Sequence, residues 1–126
     1  MNNFSETDLQ AFKLRFKSVH TNGKIMAFAL PTGLDIFTLH PEFAKGKRNM
    51  EYKGPIIGDN IAKDSVIATI DGEDLLLPTE GKVIDFNQNL QEEIGTFALG
   101  PTSNYIILVK PNKGMRQLED SYVKIC

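Results

Sequence analysis

The chain has 126 residues, 41% hydrophobic and 24% charged, with a formal net charge of -2. That is one globular domain with enough apolar chain to fold without staples, and its charge balance argues against a general nucleic-acid or membrane-surface binder. The single cysteine, Cys126, cannot close an internal disulfide, no apolar run reaches membrane-spanning length, and the acidic opening MNNFSETDLQ is unlike a signal peptide. The expected setting is a reducing cytoplasm.

Taken in order, Ser5-Glu6-Thr7-Asp8 suits a helical cap or a loose arm. From Phe12 the sequence alternates, Phe12, Leu14 and Phe16 with Lys13, Arg15 and Lys17. That period of two predicts a strand with three cations on a solvated face. Asn22-Gly23 then predicts a two-residue hairpin turn into residues 24–30, both turn positions taking positive φ. Residues 34–39 read as a strand. Residues 40–55 form the longest loop and carry the basic cluster Lys45, Lys47 and Arg48. His20 before the turn and His40 before Pro41 read as solvated turn and loop residues.

The β-branched run 65–70 is turned by Asp71-Gly72-Glu73-Asp74, and residues 75–77 return until Pro78, which has no N–H for a ladder. Residues 82–86, 96–99 and 105–109 are further strands, and the tail from Gly114 fits a short helix or an extra strand. Short strands between Gly/Pro turns predict an all-β fold, a small barrel-sandwich built from hairpins with short terminal arms. The expected organisation is one β domain over 1–126, with a polar arm (1–11), the barrel (12–110) and a C-terminal tail (111–126).

The run Gly58-Asp59-Asn60-Ile61-Ala62-Lys63-Asp64-Ser65-Val66-Ile67-Ala68 resembles the Gly-Asp step that leads into biotinyl/lipoyl-like barrels. Leu77-Pro78-Thr79-Glu80-Gly81-Lys82-Val83-Ile84 is similar to their Pro-x-x-Gly-x-Val step. The resemblance implies a lipoyl-like barrel. It also implies, for carriers of that group, an acceptor lysine at the hairpin tip. Here the tip holds Asp71-Gly72-Glu73-Asp74, and no lysine lies between Lys63 and Lys82. Carrier activity and a bound cofactor are therefore not expected.

Residues 23–100 also resemble the C-terminal barrel domain of the succinylglutamate desuccinylase/aspartoacylase family, which has an Asp-Gly-Glu turn and no acceptor lysine. That family's zinc site of two histidines and a glutamate has no counterpart, since His20 and His40 lack its spacing. A further likeness of Leu30-Pro31-Thr32-Gly33-Leu34 and Gly81-Lys82-Val83-Ile84-Asp85 to deoxyuridine triphosphatase lacks that family's phosphate motif and glycine-rich tail.

The expected function is a non-catalytic binding or accessory module. Loop 40–55 and the 71–74 tip would be presented to a protein partner, to a second copy or to a small molecule. Lys45, Lys47, Arg48, Asp71, Glu73 and Asp74 are the candidate contacts; no metal, nucleic acid or membrane is expected. Two alternatives are a subunit of a split or degenerate zinc-dependent deacylase, and a structural subunit of a symmetric assembly in which the 12–16 strand extends a neighbour's sheet.

Overall fold

The computed structural model describes residues 4–87, 105–112 and 122–126. The chain opens on a helix, α1 (Glu6–Arg15), where the alternation predicted a strand. The Ser5 hydroxyl accepts from the Asp8 N–H at 3.1 Å, and the Asp8 carboxylate accepts from the Ser5 N–H at 3.3 Å. This capping box, with acids in the first turn and Lys13 and Arg15 in the last, outweighs the period of two. Phe12 and Phe16 stand four apart, so a helix also places them on one side. Leu14 discriminates: it is 86% exposed, away from the core. The expected strand of Phe12, Leu14 and Phe16 is corrected to a helix and its C-cap.

β1 (Ser18–Thr21), β2 (Ile25–Ala29) and β3 (Asp35–Leu39) follow as an antiparallel meander. The Asn22-Gly23 hairpin is present, but Thr21 pairs with Met26, so its loop is longer than two residues. Only Gly23 takes positive φ, at +92°. Asn22 closes the loop itself, its Oδ1 accepting from the N–H groups of Lys24 and Ile25 at 2.9 Å each.

The expected long loop is partly ordered into α2 (Pro41–Ala44) and β4 (Met50–Tyr52). β5 (Asn60–Ile61), β6 (Val66–Ile70), β7 (Glu73–Leu76), β8 (Gly81–Phe86), β9 (Ile107–Pro111) and β10 (Val123–Lys124) complete the described elements. The expected 96–99 strand lies outside the described residues.

Seven strands form one antiparallel sheet in the order β10-β1-β2-β3-β9-β8-β5, and three form a second, β4-β6-β7. The main core unites them: Ile25, Phe37 and Leu39 from the large sheet meet Met50, Ile67, Ile70 and Leu75 from the small one. On the opposite face of the large sheet, Met26, Phe28 and Ile36 lie under Phe12 and Phe16. The Phe16 and Phe28 rings are 4.7 Å apart, and Phe12 meets Phe28 edge-on at 5.3 Å. With both faces covered, every residue of β2 and β3 is buried. Each large apolar side chain so covered contributes about 1.5–3 kcal/mol.

The two motifs that carried the family likeness meet in space. The Gly58 N–H donates to the Val83 carbonyl at 2.8 Å, and the Val83 N–H donates to the Asp59 carbonyl at 2.9 Å. Gly58 takes φ +93° to make that approach. A Cβ on Gly81 would sit 2.3 Å from the Lys110 carbonyl oxygen, so only glycine lets β8 pack against β9 there. Among the described residues, no helix is long and apolar enough to cross a membrane.

Candidate functional site

The β6–β7 hairpin turns at Asp71-Gly72, with φ of +48° and +83°. Ile70 pairs with Glu73 across it, which makes this a true two-residue turn. The expected four-residue acidic tip is corrected: Glu73 and Asp74 belong to β7. Their side chains diverge, since successive residues of a strand point to opposite faces.

Asp71 ties the tip to the loop before β4. Its carboxylate accepts from the Asn49 N–H at 2.8 Å and from the Arg48 N–H at 3.2 and 3.3 Å. Its own N–H donates to the Asn49 carbonyl at 2.7 Å. The Asn49 N–H is the main reason the carboxyl is held below its ordinary value. Burial opposes it less strongly than that bond, and the Arg48 N–H and the charges of Lys47 and Arg48 add smaller contributions in the same sense as Asn49.

The loop is shaped by α2. His40 caps it, Nδ1 accepting from the Glu42 N–H at 3.1 Å, and Pro41 opens its first turn. Gly46, at φ +80°, turns the chain back so that the Lys47 N–H reaches the Ala44 carbonyl at 3.1 Å. Lys47 Nζ stands 4.5 Å from the centre of the Phe43 ring, and Lys24 Nζ 5.9 Å from the same ring. Lys24 also pairs with Glu73. Lys45 is exposed at the end of α2.

Of the residues expected from sequence, Lys47, Arg48 and Asp71 are thus brought together, with Glu73 joined to them through Lys24 and Phe43. Asp74 stands apart, lining a cleft of about 140 Å³ with Lys24, Ile25, Asp64, Leu76 and Pro78. Lys24 and Phe43 escaped the sequence reading. The Lys24–Glu73 pair spans 49 residues, and nothing local announces it.

The reading of His20 as a solvated turn residue is also corrected. His20 lies within β1, opposite Lys124. Burial, and then the Lys124 charge, hold it below its ordinary value. His40 is only 3% exposed and lies under the Phe4 ring. Among the described residues, no group of three or more His, Cys, Asp or Glu side chains could hold a metal ion.

One polar side chain was not anticipated at all. Asp35, at the start of β3, is 3% exposed, and its Oδ2 has no hydrogen-bond partner. It pairs with Ala29 on one side and Val109 on the other, neither offering a side-chain donor. Burial pushes its carboxyl up to about 7.

No family model matches the chain, and no curated protein matches it. Among solved structures it is similar to the glycine cleavage system H protein from Mycobacterium marinum. The TM-score is 0.57 and the identity 14%, over 78% of this chain and 86% of that one. At that identity the likeness shows the fold alone, an all-β barrel-sandwich of the lipoyl-like kind.

Proposed function

We propose that this protein is a non-catalytic accessory module that binds a protein partner through the platform built by the 40–49 loop and the β6–β7 tip. One observation carries the reading. The tip of the hairpin, where a carrier of this fold needs a free amine, holds Asp71-Gly72, and the Asp71 carboxylate is bound by two main-chain N–H groups of the neighbouring loop. A tip fixed in this way is a preorganised surface, and preorganisation lowers the ordering cost of association. Lys45, Lys47 and Arg48 give one edge of the platform a cationic character that suits an acidic partner. The finer likeness to the aspartoacylase-type C-terminal domain belongs to the same proposal, as an accessory barrel acting beside a separate chain.

The test compares tagged wild-type protein with a Lys47→Glu/Arg48→Glu variant, each recovered natively from cells with co-purifying proteins quantified. The expected result is a stoichiometric partner that falls about tenfold or more in the variant while the circular dichroism is unchanged. An identical partner set for both proteins would overturn the reading. So would an intact mass carrying a covalent prosthetic group, or zinc-dependent hydrolysis of N-acyl amino acids by the purified protein.

A further inference from the structure

Among the described residues β7 is one of the two outer strands of the small sheet, and its register shows which of its main-chain groups face away from β6. The two-residue turn makes Ile70 and Glu73 the pair that exchanges both ladder bonds. The Asp71 N–H bond to the Asn49 carbonyl fits the same phase on the β4 side. The next pair, Thr69 and Asp74, is consequently of the open kind, and the N–H and C=O of Asp74 face away from β6. At the far end Leu77 faces inward again. Its N–H donates to the Ser65 carbonyl at 2.9 Å, and its carbonyl accepts from the Asp64 N–H at 2.8 Å. Leu76, between inward-facing Leu75 and Leu77, therefore also turns its N–H and C=O outward. Two residues with outward main-chain groups, two apart, are the template that an added strand requires.

The cleft described above runs along this edge, between β7 and the β1–β2 hairpin loop. Its volume, about 140 Å³, is well below the roughly 300 Å³ at which small-molecule pockets begin. It has room for one side chain, with the rest of an extended segment lying outside along β7. The walls set that side chain's chemistry: Ile25, Leu75 and Pro78 are apolar. Charge sets the flanks. Asp64 and Asp74 line the cleft with Lys24, whose amine is already paired with Glu73.

We infer that the outer edge of β7, unpaired among the described residues, is a strand-addition site for an extended peptide segment of a partner protein, one that alternates an apolar residue with Lys or Arg. The apolar residue enters the Ile25–Leu75–Pro78 cleft, the ladder forms on Asp74 and Leu76, and the cations, on the opposite face of the added strand, lie on the side of the Asp74 side chain. A second copy is a poorer occupant, because antiparallel self-pairing on Asp74 and Leu76 sets each Asp74 opposite the other copy's Leu76 and supplies no cation to it. The inference rests on the reading of the chain as a binding module and adds a partner chemistry at an edge that adjoins the Asp71 platform through Lys24.

The probe is a fluorescein-labelled peptide of alternating Lys and Val, followed by anisotropy and by amide chemical shifts of the whole chain. Two controls carry alternating Glu and Val, and the Lys/Val sequence with proline at every other position. The Lys/Val probe is expected to bind at least about tenfold tighter than either control, with shifts centred on residues 73–77 and 22–25. Asp74→Lys should weaken it about tenfold or more. Leu76→Pro should do the same, since it removes an outward N–H while leaving the β6–β7 ladder intact.

Equal binding of the proline-interrupted peptide would reduce the interaction to charge and overturn the inference. So would no saturation by about 1 mM, or shifts confined to the 45–49 loop; in that last case the platform reading survives. A dimer that Leu76→Pro dissociates would assign the edge to a second copy and overturn the peptide. Failure of the platform reading is seen separately, in the Lys47→Glu/Arg48→Glu comparison, which leaves β7 untouched.

Discussion

Asp35 and Asp71 both stand where a strand meets a turn, yet they do opposite things. Asp71 is exposed, and its carboxylate is served by two main-chain donors from 22 and 23 residues away, so ionisation suits the folded state. Asp35 is enclosed beside Ala29 and Val109 with one oxygen unserved, so ionisation opposes folding. The two carboxyls move in opposite directions from one ordinary value. What differs is the supply of donors and water, not the residue. One aspartate is a fastener between two loops; the other is a cost carried inside the sandwich.

Replacing Asp35 by asparagine gives the largest expected effect. Its carboxyl rises from 3.8 to about 7. Below the lower value both states hold the proton and the group is neutral towards stability. As pH rises from about 4 to about 7, the unfolded chain releases the proton while the folded one keeps it, and stability falls; above about 7 the full cost remains. At 1.36 kcal/mol per pH unit the ceiling is about 4 kcal/mol. Asp35→Asn should therefore be more stable than wild type in urea melts near pH 8, with the two curves converging near pH 4. Equal stability at both pH values would place a donor on Oδ2 and break the contrast.

Asp71→Asn should act in the reverse sense. A lowered carboxyl stabilises above its ordinary value, and that stabilisation is lost as pH falls through the folded value. The variant should lose this acid-dependent component. The local effect should be larger than the global one: the amides of Arg48 and Asn49 should exchange about tenfold faster, with core strands unchanged. Protection of those two amides unaltered in the variant would show that the tip does not fasten the loop.

Gly72→Ala probes the turn without touching the carboxylate. Nothing lies within 4 Å of the added Cβ, so the cost is that of φ +83° alone, about 1 kcal/mol by thermal melt. The smallest effect belongs to Lys24→Met. The Lys24–Glu73 side chains are 52% and 39% exposed, so the pair contributes below about 1 kcal/mol, and the difference from wild type should vanish in high salt.

Some of this was legible along the chain, because the determining interactions are local. The strands 66–70, 81–86 and 107–111 are β-branched runs bounded by Gly and Pro, and Asp71-Gly72 announces its turn through the φ values it must take. The capping residues Ser5 and Asp8 were equally visible. They competed with a period-two pattern that Phe12 and Phe16 satisfy in either structure, so only the burial of Leu14 against water or core could decide. Along the chain the candidate platform is two separate clusters. Its unity depends on main-chain donors of Arg48 and Asn49, which carry no side-chain signature.

The sequence by itself determined an all-β chain of hairpins, the Gly58-Asp59 and Gly81 positions that let its motifs meet, and the absence of a lysine at the tip. These follow from φ preferences, two-residue periodicity and composition, all properties of short stretches. Tertiary structure alone decided that Asp71 reaches across to the 45–49 loop, that Lys24 joins Glu73, that Asp35 is enclosed without a donor on Oδ2, and that β7 lies at the end of the small sheet among the described strands. Each of these depends on which strands become neighbours. Strand order is fixed by burying the inner and outer faces of the large sheet together, a sum over residues far apart in the chain.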